Sequence, residues 1–383
     1  MTSVDVAIVG AGPAGSAAAV SLARRGYSVA LVDKQSFPRD KLCGDFLNPA
    51  SWPLLSQLGV ARDVLERPHQ TVSYFRFALS SGRALSIPLG PHHETFGLGM
   101  RRSDLDHVLM KRAVRQGATV FERCRPKTLT REVSGWRLVI DRADRPEPMS
   151  ARMLIGADGR HSWVAQRVGL AGATAAGRSV GFQWRARRRR ESDDAVEIHL
   201  LDGGYAGVVG VDDETINVCV AIERKRLPST ARAEIAVRAW LAQGPSLNEV
   251  AGEPLGAVRS TYPVYFPPRH PCAERVLLVG DAARVSEPVT GEGVYLALWS
   301  GLAAGDIVDR AFRSGDFSAA ALGYGLERFQ RPLRFRRRIN ALSRLLIYRP
   351  ALLSAIMSIS AGTERFIGAV VRATCEPVEW ERD

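Results

Sequence analysis

No stretch of this chain approaches the ~20 apolar residues that a membrane-crossing helix needs. The best late candidate, Ala351 to Ile359, is too short and follows Arg349-Pro350. Cysteine is scarce and unpatterned: Cys43, Cys124, Cys219, Cys272 and Cys375 are an odd, scattered set without a CxxC pair. That argues against a zinc site or a disulfide framework and for reduced thiols in a cytoplasmic protein. The histidines show no zinc-ligand spacing, so no metal is expected. The adjacent His92-His93 pair sits in a proline-flanked stretch that reads as a surface loop. There is no internal repeat and no low-complexity tract. No basic leader precedes the first apolar run, and no signal peptide is expected. No nucleic-acid motif accompanies the net charge of +12, so no nucleic-acid partner is expected. The cations gather at Arg185 with Arg187 to Arg190, and at Arg331, Arg334 and Arg336 to Arg338. A solvated arginine-rich face is the simpler reading of both clusters.

What is present is the ordinary composition of a globular chain, 46% hydrophobic and 24% charged over 383 residues. That length suffices for two intertwined domains. Val4 to Val9 is an apolar, β-branched run of the kind found in buried parallel strands. Gly10-Ala11-Gly12-Pro13-Ala14-Gly15 follows, then an alanine-rich helix to Arg25, then a strand from Ser28 to Val32 that closes at Asp33. In such a strand–GxGxxG–helix unit, the first glycine makes the turn and the second lets a diphosphate approach the backbone. The third lets helix and strand pack closely, and the acid accepts from ribose hydroxyls. The helix N-terminus supplies unpaired N–H groups. This motif alone does not separate FAD from NAD.

Further along, helices are expected over 51–66, 103–116 and 294–312, and strands over 119–124, 129–133, 136–141, 153–155 and 276–279. Val72 to Pro88 reads as strands around a Ser80-Ser81-Gly82 turn. Residues 180–265 alternate in the manner of antiparallel strands. From Ala319 onward the pattern is helical, broken at Pro332 and Pro350.

Two later segments resemble the flavoprotein superfamily that contains p-hydroxybenzoate hydroxylase and the geranylgeranyl reductases. Gly156-Ala157-Asp158-Gly159 with Ser162 is similar to its DG motif, and Val279-Gly280-Asp281-Ala282-Ala283 to its second FAD fingerprint. The resemblance implies that Asp281 binds the ribityl chain and that Asp158 and Gly159 serve the FAD region and the approach of the nicotinamide donor. It also implies that Arg102, at a helix start, contacts FAD. Pro288 to Gly293 resembles the turn that points backbone N–H groups of Gly291, Glu292 and Gly293 at the isoalloxazine. Lys41-Leu42-Cys43-Gly44-Asp45 resembles the geranylgeranyl reductase branch, where the cysteine lies near flavin and substrate. Cys43 then has three readings: proton donor, anchor of the flavin loop, or small buried hydrophobe. That branch carries a Trp-x-Phe-Pro-like segment after a Gly-Gly-Tyr turn. Here Gly203-Gly204-Tyr205 is followed by Ala206-Gly207-Val208-Val209-Gly210 instead, which implies a larger or differently shaped pocket.

The expected architecture is α/β: a Rossmann-like FAD-binding domain (1–70, 100–180, 270–325), an inserted sheet-rich substrate domain (71–99, 181–269) and a helical C-terminal region (326–383). The expected cofactor ligands are Gly10, Gly12, Pro13, Ala14, Gly15, Asp33, Lys34, Cys43, Gly44, Arg102, Asp158, Gly159, Gly280, Asp281, Gly291, Glu292 and Gly293. Cys43 is the catalytic candidate. FAD is the cofactor and NAD(P)H the expected electron donor. Two chemistries share these motifs: reduction of a carbon–carbon double bond in a lipophilic substrate, or flavin-dependent monooxygenation. The basic and apolar residues of the last region are read either as a packed cap or as a weak peripheral membrane contact.

Overall fold

The computed structural model describes residues 2–78, 84–90, 95–172, 178–189, 194–227, 235, 237, 239, 241, 251–349 and 361–379. The first apolar run is the strand Thr2–Val9, with Val6, Ala7 and Ile8 wholly buried. It pairs in parallel with Val29–Val32 on one side and with Arg145–Gly156 on the other. Thr119–Phe121 and Val276–Leu278 extend the parallel run outward on its two flanks. Cys124–Glu132 and Gly135–Arg142 form an antiparallel meander on the first half of Arg145–Gly156. The result is an eight-stranded sheet whose central strands are buried on both faces, as their unbroken apolar sequences require.

The helix Pro13–Ala23 crosses one face of this sheet and packs against the long helix Gly293–Ser314. The seam between them is made of small residues. A Cβ on Gly301 would lie 2.2 Å from the Ala14 carbonyl oxygen, and one on Gly305 2.1 Å from the Ser21 hydroxyl. The helix Arg102–Arg115 packs on the same side of the sheet, against Pro13–Ala23.

Two expected elements are divided. The helix over 51–66 is a short 3₁₀ turn and two helices, Trp52–Leu58 and Ala61–Leu65, because Gly59 at φ +73° ends the first in a left-handed turn. The strand over 119–124 breaks at Arg123, which takes φ +55° between Thr119–Phe121 and Cys124–Glu132.

A second eight-stranded sheet lies over the carboxyl edge of the first. Ser179–Arg188, Thr215–Glu223, Gly204–Gly210 and Ala195–Leu201 run antiparallel in that order. Ala195–Leu201 then pairs in parallel with Tyr74–Ala78. A third, small sheet joins Phe46–Leu47, Gly97–Gly99 and Gln70–Val72. The Ser80-Ser81-Gly82 turn and the His92-His93 pair lie outside the described residues.

The C-terminal region is helical, with Ala319–Gln330 and Arg334–Ile347 parted near Pro332 and a last helix, Ala361–Cys375. Pro350 and Ala351 to Ile359 lie outside the described residues. Among the described residues no helix is long and apolar enough to cross a membrane.

Candidate functional site

The carboxyl ends of the parallel strands open on one cavity of about 660 Å³. This is where open α/β sheets bind ligands, because loops and helix N-termini converge there with unpaired backbone groups. The glycine loop forms one wall. Gly10 holds φ +104°, and a Cβ there would stand 2.3 Å from the Ala157 carbonyl oxygen. Only glycine fits that position without strain. A Cβ on Gly15 would stand 1.9 Å from the Gly10 carbonyl oxygen, so Gly15 sets the helix against the loop and does not itself line the cavity. Gly12 borders open space, and a Cβ there would have only the Arg39 guanidinium within 4 Å. The helix that starts at Pro13 has no side-chain cap and no acidic residue in its first turn. Its amide end therefore faces the cavity ready for an anion.

Asp33, at the end of the second strand, accepts from the Ala11 N–H (2.9 Å) and the Gln35 N–H (2.9 Å), with Arg39 at 3.5 Å. It braces the loop, and its remaining lone pairs could accept from a ribose. Lys34 lies beside it on the cavity wall. Asp158 accepts from the Val164 N–H at 3.1 Å, while its other oxygen is buried without a partner. Burial pushes this carboxyl up. Gly159, Gly280 and Asp281 line the same wall. Asp281 faces Arg160 at 3.7 Å.

Gly291 and Gly293 border the cavity at the start of the long helix. Glu292 between them does not. Its carboxylate is buried and bound to Arg336 at 3.0 Å, and Arg336 also donates to the carbonyl oxygens of Thr374 and Glu376. Glu292 thus ties the start of the long helix to the C-terminal helices.

Cys43 and Gly44 line the same cavity. Burial pushes the Cys43 thiol up and the nearby Arg102 guanidinium draws it partly back, so it stands as a thiol. Its carbonyl oxygen accepts from Asn217 (3.0 Å) and from the Cys219 thiol (2.9 Å). Arg102 makes a two-pronged bond to buried Asp106 at 2.8 and 2.9 Å and reaches the cavity with the rest of its side chain. Behind Cys43, Asp45 is buried against Gln183 and Arg185. Burial raises its carboxyl to about 7.

Three neighbours of these residues carry no sequence motif. Arg39 bridges Asp33 and Asp106, with nitrogens that are buried and lack hydrogen-bond partners. Arg160 stands over Asp281. Glu287 is buried behind the wall and accepts from the Tyr205 hydroxyl at 2.9 Å. The only signal for Glu287 was an acid set among the apolar residues of Val285 to Val289.

The loops, the uncapped helix end and the orphaned buried polar atoms suit a dinucleotide with a diphosphate. A family profile described as FAD binding domain matches residues 3–305. A menaquinone reductase of Mycobacterium tuberculosis is 28% identical over 320 residues, covering 80% of this chain and 77% of that one. A digeranylgeranylglycerophospholipid reductase 1 of Methanopyrus kandleri is 29% identical over 339 residues, covering 86% of this chain and 87% of that one. Among solved structures, a flavoprotein/dehydrogenase of Cytophaga hutchinsonii superposes with a TM-score of 0.84 at 19% identity, covering 97% of this chain and 92% of that one.

Proposed function

Because the chain belongs to the family described as FAD binding domain, we propose that it uses reduced flavin to saturate a carbon–carbon double bond of a hydrophobic, polyprenyl-like substrate. The observation that carries this reading is the far wall of the cavity. Past the loops that suit FAD, the cavity is bounded by apolar side chains of the second sheet and its surroundings: Val196, Ile198, Val209, Val264 and Val289. Gly207 and Val208 also border this wall, in the segment that departs from the aromatic one of the geranylgeranyl reductases, and that departure speaks against an identical substrate. An apolar wall favours a lipophilic ligand by removing its surface from water. The relatives named menaquinone reductase and digeranylgeranylglycerophospholipid reductase support the same class.

Bound in this site, FAD would supply the two-electron chemistry. Gly10, Gly12, Pro13 and Ala14 would hold its diphosphate, Asp33 its ribose and Asp281 its ribityl chain. Gly291 and Gly293 would present N–H groups to the flavin ring, where a positive helix end stabilises added negative charge. Cys43 would contact substrate or flavin. NAD(P)H is the proposed donor, and a cytoplasmic location gives access to it. A recess beside the cavity mouth, rimmed by Lys34, Arg123, Arg160 and Arg259, offers cations to its phosphates.

The test is anaerobic. The FAD-loaded protein is reduced with NADPH under argon and mixed with menaquinone or a digeranylgeranyl lipid. Substrate-dependent reoxidation, with a hydrogenated product by mass spectrometry, is expected. Product formed only in air and carrying an oxygen atom from O₂ would overturn the reading in favour of a monooxygenase.

A further inference from the structure

Reduction of a double bond needs a proton as well as electron-rich hydrogen, so the site requires an acid that the solvent does not swamp. Glu287 is placed for this. It is 1% exposed and precedes the Pro288 turn. Its backbone is held by the C-terminal helix: the Glu287 N–H donates to Asn340 Oδ1 (3.0 Å), and Asn340 Nδ2 donates to the Glu287 carbonyl oxygen (3.2 Å). Its carboxyl Oε1 receives the Tyr205 hydroxyl at 2.9 Å and the Tyr348 hydroxyl at 3.5 Å. Its Oε2 is buried and has no partner. Among the described residues no cation forms an ion pair with it. Tyr205 is itself one of the residues that line the cavity, and Glu287 is not.

We propose that Tyr205 and Glu287 form the proton-delivering pair of the reduction, with Tyr205 as the catalytic acid and Glu287 as the group that recharges it. This rests on the reductase reading. FAD, when bound and reduced by NAD(P)H, would supply the hydride to the double bond, and the Tyr205 hydroxyl supplies the proton. As the Tyr205 O–H bond breaks and the new C–H bond forms, the Glu287 O–H bond breaks and the Tyr205 O–H bond is restored. Glu287 is left as a carboxylate and regains its proton from water. The 2.9 Å contact serves both protonation states. A carboxylate accepts from Tyr205, and a carboxylic acid donates to the phenol oxygen and frees its hydrogen to point into the cavity.

The protonated state is available near neutral pH. Burial raises the Glu287 carboxyl to about 7, against the hydrogen bonds from Tyr205 and Tyr348 and the more distant charge of Arg344. Those are the groups that face it, from the second sheet, from the end of Arg334–Ile347 and from within that helix. Cys43 and Asp45 are the rival acid pair. Asp45 is raised to about 7 as well, but Arg185 stands at 3.4 Å from its carboxyl and favours the charged form.

Tyr205→Phe and Glu287→Gln in the full FAD-loaded chain test the pair. With menaquinone or a digeranylgeranyl lipid as substrate under argon, Tyr205→Phe is expected to slow turnover by about 10² or more while leaving FAD content unchanged. Wild-type turnover should fall as pH rises through about 7, and Glu287→Gln should be slow with that inflection gone. Independently of turnover, infrared titration of the FAD-free protein should show carboxylic acid absorption from Glu287 and Asp45 that persists to near pH 7, and Glu287→Gln should lose the Glu287 share and keep that of Asp45. A Tyr205→Phe rate equal to wild type, an unaltered pH profile in Glu287→Gln, or an unaltered infrared titration in Glu287→Gln each overturns the pair. If wild type reduces neither substrate, the reductase reading falls and takes this proposal with it. If wild type is active and Tyr205→Phe matches it, the proton pair alone falls.

Discussion

At the scale of single residues, the cavity separates groups that hold from groups that react. Gly12 borders open space at an uncapped helix end. Gly12→Val would fill the space proposed for the diphosphate, and the purified variant is expected to lack visible flavin absorbance. Asp281 offers a charged acceptor on the cavity wall. Hydrogen bonds to charged groups contribute ~1.5–3 kcal/mol, so Asp281→Ala should weaken FAD binding by roughly tenfold to a hundredfold in a fluorescence titration. Unchanged affinity would remove Asp281 from the ligand set. Cys43→Ser keeps the size and the backbone contacts to Asn217 and Cys219. It should retain FAD and change substrate turnover, and wild-type rates would leave Cys43 a packing residue. Glycines and the strand-end acid were legible because their chemistry is local: Gly10, Gly15 and Asp33 act within one strand–helix–strand unit. Glu292 was legible as part of a turn but not as a partner of Arg336, which lies 44 positions further along. The Tyr205–Glu287 contact spans 82 positions and left no periodic trace at all.

Elements show the same division. The parallel strands and the long helix follow from continuous apolar runs. The split at Gly59 and the turn at Arg123 depend on single backbone conformations that periodicity does not register. The parallel pairing of Ala195–Leu201 with Tyr74–Ala78 is a tertiary event, and nothing in either strand specifies its partner. The arginine-rich C-terminal helix is the clearest case. Read as a run, its arginines form one basic face. In the fold, Arg336 is buried against Glu292, and Arg334 pairs with Glu327 at 3.1 Å. Arg336→Met leaves a buried carboxylate without its cation, which costs about 3–5 kcal/mol and should lower the urea midpoint accordingly. A midpoint equal to wild type would mean that Glu292 finds another partner. The outer face of the helix retains exposed Phe335, Leu342 and Leu345 beside Arg331 and Arg338. We propose that this face touches anionic membrane weakly, as a lipophilic substrate would favour. Salt-sensitive flotation with anionic liposomes is expected, and absence of binding at low salt would leave the helix as a cap only.

For the whole molecule, buried acids set the response to pH. Asp45 titrates near 7 in the fold against an ordinary 3.8, because burial penalises its charge. Between those values the folded chain holds a proton that the unfolded chain has released. Stability conferred by this group is therefore present at low pH and is lost as pH rises towards about 7. Asp45→Asn should flatten that decline in unfolding experiments from pH 4 to 7, and an unchanged slope would place the titration elsewhere. The seam of small residues between Pro13–Ala23 and Gly293–Ser314 acts on the same scale. Both helices begin at the cavity, one at the glycine loop and one at the turn that Gly291 and Gly293 shape. Backbone meets backbone at Gly301 with no side chain between them to yield, so the two starting points cannot slide. The seam works as a fixed caliper whose jaws are spaced before any cofactor arrives, and a dinucleotide is measured rather than accommodated. An error of one methyl group at the pivot is felt at both jaws. Gly301→Ala, an overpacking of about 1–3 kcal/mol, should therefore reduce FAD retention more than any equal loss of stability introduced far from the seam.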